Sequence, residues 1–132
     1  MNNALQFLPL IGRILIAQIF ITSGLGKIGG FAQTAAGMAS KELPFAEVLL
    51  VITIVIELGA GLMILLGWRA RLGALALFLW MVPVTLLFHN FWAVPESAKM
   101  VQQIMFQKNL VMMGAMLYIM AFGSGRYSLK KD

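Results

Sequence analysis

Four long stretches of this chain are almost empty of charge, and no other feature constrains its fold as tightly. They run Leu5–Ile28, Ala46–Leu66, Leu72–Phe88 and Ile104–Phe122. An α-helix rises about 1.5 Å per residue, so about 20 apolar residues cross a hydrocarbon core of about 30 Å. Inside that core every backbone N–H and C=O must be satisfied internally, and a helix does this within one segment. The predicted fold class is therefore all-α: a polytopic membrane protein, a four-transmembrane-helix bundle. One domain over residues 1–132 is expected, with short interfacial helices in the two long loops.

Composition argues the same way. The chain is 61% hydrophobic and 11% charged, whereas soluble domains average roughly 45–50% and about 25%. That excludes a disordered segment, a nucleic-acid arm and a soluble enzyme domain. The net charge of +5 rests on few residues spread along an apolar chain, a pattern that orients a protein in a bilayer rather than binding nucleic acid. The absence of cysteine excludes disulfides, thiol redox chemistry and cysteine-ligated clusters. His89 is the one histidine and Asp132 the one aspartate. A His-rich metal site and a two-histidine haem cannot be built within one such chain, and a Ser-His-Asp triad would have to recruit the last residue.

The segments differ in detail. The first contains Arg13 and Lys27 and lacks a small-x-small cleavage site, so it reads as a retained span rather than a signal peptide. Glu57 lies at the middle of the second. The third has no charge, and Pro83 should kink it without ending it. Gly67–Arg71 is a tight helical hairpin, while Gly29–Phe45 and His89–Gln103 are long loops. In the second long loop Met100, Val101, Ile104 and Met105 form one apolar stripe, suited to an interfacial helix leading into the fourth span. Arg69, Arg71, Arg126, Lys130 and Lys131 outnumber Lys27, Lys41, Lys99 and Lys108 at the other end. By the positive-inside rule both termini should be cytoplasmic.

Polar groups inside the spans are the functional candidates, because a charge facing lipid costs several kcal/mol. Counted from Leu5, Arg13 lies roughly 12 Å deep. Counted from Ala46 on the antiparallel second span, Glu57 leaves about 14 Å to the same face. An Arg13–Glu57 ion pair is therefore expected, either as a structural lock or with Glu57 as a proton-carrying or ligand-binding carboxylate. A third reading lets Arg13 snorkel to the interface alone. Towards the opposite end, Ser23 and Lys27 share the polar stripe of the first helix. With His89, Lys108 and Asn109 they could converge on a pocket mouth, Glu47 serving as a counter-ion. Each of these also has a bland reading, as a snorkelling lysine, a satisfied interfacial histidine or an interhelical amide. Asn109, Met113, Met116 and Met120 share a face, which reads as adaptable packing, as a soft-metal or haem-edge site, or as a lining for a flat hydrophobic ligand.

Several short motifs recur in order along the chain. They are Arg13 followed by Ile19-Phe20-Ile21-Thr22-Ser23-Gly24 and Gly26-Lys27-Ile28, then Glu57-Leu58-Gly59-Ala60-Gly61 and Leu66-Gly67-Trp68-Arg69-Ala70-Arg71. Phe88-His89-Asn90-Phe91-Trp92, Phe106-Gln107-Lys108-Asn109-Leu110 and Gly123-Ser124-Gly125-Arg126-Tyr127-Ser128 follow. Together they resemble the DoxX family of small four-helix bacterial inner-membrane proteins over nearly the whole chain. The resemblance implies an inner-membrane location and an association with quinone-linked redox chemistry, since a related subunit belongs to a thiosulfate:quinone oxidoreductase. It also implies partner or scaffold roles, and chaperone roles in more distant relatives.

Three functions follow from these readings. The first is a membrane subunit or quinone-interacting partner of an oxidoreductase. His89 and Glu57 would be its catalytic groups, and Ser23, Lys27, Lys108, Asn109, Met113 and Met116 would bind the ligand. Quinone is the cofactor class that this implies, ahead of haem, and electrons would come from a redox-enzyme partner or a bound cofactor. The second is a non-catalytic scaffold or chaperone acting through its outer loops, alone or as a homo-oligomer. The third is a small-solute carrier with Arg13 and Glu57 at its midplane.

Overall fold

A computed structural model describes residues 3–130, and among them the chain is helical with no strand. A 3₁₀ turn at Asn3–Phe7 leads into α1 (Leu8–Gly29), followed by α2 (Phe31–Ala39), α3 (Ala46–Leu66), α4 (Ala70–Phe88) and α5 (Glu96–Phe122). Four helical stretches are long and apolar enough to cross a membrane. With an even number of spans, the N-terminal turn and the C-terminal tail lie at the same end of the bundle.

The two loops behave differently. The first folds into α2, as a surface helix should. The second holds a 3₁₀ turn at Phe91–Ala93, after which α5 runs unbroken for 27 residues. The expected interfacial helix is therefore the first turns of α5 itself. At about 1.5 Å per residue α5 is about 40 Å long, and its first turns project beyond a core of about 30 Å. Met100, Val101, Ile104 and Met105 are all exposed along that projection. Pro83 sits within α4, which continues through it.

Small residues set the packing. In the helix order α1–α3–α4–α5 each neighbour packs on the next, and α5 makes no comparable interface with α1. A Cβ on Gly24 would stand 2.7 Å from Leu58 Cγ, one on Gly61 3.2 Å from Ile21 Cγ1, and one on Gly73 3.1 Å from the Ala60 carbonyl oxygen. These glycines let the backbones approach closely, which is how helices associate when lipid removes the hydrophobic incentive. The main core gathers Ala17, Phe20, Ile64, Leu77, Met81 and Met116. A second cluster of Ala35, Met38 and Leu50 seats α2 against α3.

The α3–α4 hairpin turns on Gly67 at φ 68° and Arg69 at φ 48°. The C-terminal tail closes over it: the backbone N–H groups of Leu129 and Lys130 donate to the carbonyls of Leu66 and Gly67 at 3.1 Å each. Tyr127 stacks on Phe7 at 4.8 Å between ring centroids, and Arg126 donates to Gln6 Oε1 at 2.6 Å. Arg69, Arg71, Arg126 and Lys130 collect at this end, while Lys131 and Asp132 lie outside the described residues.

Candidate functional site

The site begins with two turns of α1. Ser23 and Lys27 are four residues apart, so their side chains meet on one face. Lys27 Nζ donates to Ser23 Oγ at 2.6 Å and forms an ion pair with Glu57 Oε1 at 2.8 Å. Glu57 is only 7% exposed. The close α1–α3 approach at Gly24 brings Glu57 within reach of a lysine less than one turn further along.

The expected Arg13–Glu57 pair does not form. Packing fixes the register: Gly24 faces Glu57 and Leu58, Gly61 faces Phe20 and Ile21, and Gly67 faces the Arg13 guanidinium. Arg13 is thus level with the hairpin, eleven residues and about 17 Å along α1 from Gly24, the residue that faces Glu57. Counting depth from the first apolar residue failed because α1 and the turn before it overhang the end of α3. Arg13 is 3% exposed all the same. Its Nη2 donates to the Tyr127 carbonyl oxygen at 2.9 Å and its Nη1 to Ser128 Oγ at 3.2 Å. Among the described residues it neither snorkels free nor meets a carboxylate; it holds the tail.

Two chambers flank the Lys27–Glu57 pair. The larger has a volume of about 430 Å³ and lies among α2, α3 and α4, with Thr34, Met38, Leu43, Thr53 and Phe88 in its wall. The smaller, about 200 Å³, takes Ser23, Phe20, Asn109 and Met112 from the facing sides of α1 and α5. Lys27, Glu57, Trp80, Val84 and His89 line both. The larger alone falls within the range of about 300–1,000 Å³ usual for small-molecule sites.

His89 closes α4, and its Nδ1 lies 2.8 Å from Gln102 Oε1. With the amide oxygen as acceptor, Nδ1 carries the proton and Nε2 retains a lone pair able to take another. Asn109 donates to Thr85 Oγ1 at 3.0 Å, across from α5 to α4. Ser23, Lys27, His89 and Asn109 come together around the chambers, and Glu57, expected beside Arg13, joins them as the counter-ion in place of Glu47. Four other candidates do not. Lys108 is exposed and lines neither chamber. Met116 is fully buried in the main core, and Met113 packs against that core. The chambers face α5 one residue round from the expected stripe, so Met112 replaces Met113. Glu47 is exposed on α3, away from the lysine group.

Sequence reasoning left Trp80, Met112, Gln102 and the α2 residues Thr34 and Met38 without a role. Gln102 had a signal: it precedes Asn109 by seven residues, the same face of a helix, once α5 is known to run continuously back to Glu96. Trp80 had none, because depth in a span does not say which side of the helix meets a cavity.

These features define a small integral membrane protein whose spanning helices enclose a charged, ligand-sized space towards one end. The family model named DoxX matches residues 8–90, and the chain belongs to the DoxX family. It is 36% identical over 122 residues to "Inner membrane protein YqjF" of Escherichia coli (strain K12), covering 92% of this chain and 88% of that protein. It is 32% identical over 124 residues to "Inner membrane protein YphA" of the same organism, covering 94% and 89%. No solved structure matches the chain. The family match includes Arg13, Ser23, Lys27, Glu57 and His89, and stops short of Gln102, Asn109 and Met112.

Proposed function

We propose that this chain is an inner-membrane protein that binds a quinone or quinol at the Lys27–Glu57–His89 site, as the membrane subunit or partner of an oxidoreductase. The single observation that carries the reading is the apolar double chamber with a buried ion pair and a histidine on its shared wall. A quinone supplies two-electron, two-proton chemistry when bound, and the donor set fits it. The Lys27 ammonium can hydrogen-bond a carbonyl oxygen and stabilise negative charge developing there. His89 Nε2 can accept a proton from a hydroxyl, with Glu57 as a second acceptor once Lys27 turns towards the ligand. The indole of Trp80 offers a flat surface for a ring. The chain has no cysteine and a single histidine, so a partner's redox centre exchanges the electrons.

The inner-membrane location is supported by the names of both relatives. The arginine-rich end, with both termini, belongs on the cytoplasmic side by the positive-inside rule, which puts the chambers towards the outer face. The carrier reading loses its motivation, since it needed Arg13 and Glu57 together at the midplane.

Native mass spectrometry of protein extracted in mild detergent tests the proposal. A bound quinone, absent from a Lys27→Met variant that still folds, is the expected result. Protein carrying neither quinone nor a redox partner, and unable to take up added quinone, overturns it. A scaffold would instead keep its partner when Lys27 or His89 is replaced.

A further inference from the structure

The two chambers share a wall but differ in chemistry. In the larger, both threonine hydroxyls are satisfied within their own helices: Thr34 Oγ1 donates to the Gly30 carbonyl and Thr53 Oγ1 to the Leu49 carbonyl, each at 2.8 Å. Neither hydroxyl has a proton left to donate to a ligand, and Met38, Leu43 and Phe88 beside them are apolar. In the smaller chamber hydrogen-bonding capacity is left over. Asn109 uses one N–H on Thr85, and an amide has a second N–H and a carbonyl oxygen to offer. Ser23 Oγ accepts from Lys27 and retains its own proton to donate.

We propose that the chambers divide one amphiphilic ligand, with its polar head in the smaller space between α1 and α5 and its apolar tail in the larger space beneath α2. The assignment rests on the quinone reading above and adds the form the ligand must take: a tailed quinone, not a small water-soluble one. The Lys27–Glu57 pair and Trp80 stand where head meets tail. Thr34 and Leu43 are then residues that set specificity for the tail. Because a tail gains no hydrophobic energy on leaving lipid for an apolar wall, the larger chamber acts by packing and direction. The alternative route lets the tail leave sideways between α1 and α5, where those helices share no close interface.

The test compares two probes on the full chain in lipid nanodiscs: a substituted benzoquinone without a tail, and the same head carrying a decyl tail. Partition into the lipid is common to all variants and cancels between them. Wild-type protein should prefer the tailed probe, and filling the larger chamber with Thr34→Phe should cut that preference about fivefold relative to wild type. Leu43→Phe, on a different element, should do the same and covers the case in which one variant fails to fold. Folded variants that keep the full preference, or that lose both probes equally, overturn the tail assignment and leave the quinone reading standing. Wild-type protein that binds neither probe overturns both.

Discussion

Helix α1 carries two largely buried cations, and the bundle treats them in opposite ways. Arg13 and Lys27 are fourteen residues apart, which returns them to nearly the same face of the helix about 21 Å apart. At the hairpin end, Arg13 donates to a peptide carbonyl and a hydroxyl from the tail, and Gly67 leaves no room beside it. At the other end, Lys27 meets a carboxylate and a hydroxyl at the edge of open volume. The first arrangement closes the end of the bundle. The second keeps a charge at a place that something else can reach. A buried cation in a membrane helix thus signals function only when its surroundings leave space, and burial alone does not distinguish the two.

The sharpest way to break the comparison is at the closed end. Gly67→Val puts a branched side chain at φ 68° and directly into the Arg13 guanidinium and Ser128. The expected loss is about 4 kcal/mol or more, seen as little folded protein surviving mild heating in detergent. A variant as stable as the parent would show that the tail is not locked there.

At the open end, Lys27→Met leaves the Glu57 carboxylate without its cation. The cost should be about 3 kcal/mol, at the low end for a buried pair because the Lys27 side chain keeps 28% of its surface exposed. Pairing it with Glu57→Leu should restore most of the stability while quinone binding stays lost. Recovery of binding in the double variant would reduce the pair to a structural lock. Arg13→Met removes two hydrogen bonds from a charged donor, worth about 2 kcal/mol together with its packing. Its diagnostic effect is local: faster proteolysis around Arg126–Lys130, with quinone affinity unchanged. If affinity falls as well, the two ends are coupled.

The smallest effect is expected at Gln102. Replacing it with Leu should change stability by less than about 1 kcal/mol. Nitrogen NMR of the His89 ring should show loss of the form protonated at Nδ1, and quinone affinity should weaken severalfold. An unchanged ring spectrum would remove Gln102 from the site.

Much of this was legible in the sequence. Each apolar run became a spanning helix, because hydrocarbon leaves the backbone no other local solution. The gathering of Ser23, Lys27, His89 and Asn109 at one end followed from where those residues fall along their spans. Errors came wherever an answer depended on register or rotation. Arg13 and Glu57 lie inside apolar runs at similar counted depths, yet they do not meet. The contacts at Gly24, Gly61 and Gly67 set the true offset, and no hydropathy edge reports it. Met113 and Met112 are one residue, about 100°, apart on α5, and only packing against α4 decides which of them meets the cavity.

The shortage of charge by itself determined that this chain spans a membrane as four helices, and it left few residues able to carry chemistry. Tertiary structure alone decided that Glu57 belongs to Lys27, that Arg13 belongs to the tail, and that two chambers flank the first pair. The physical reason is a difference in range. Transfer into lipid is a property of each segment and can be summed along the sequence. Which charges meet is set by contacts a few ångströms long between helices, where single glycines fix how closely, and at what offset, two backbones come together.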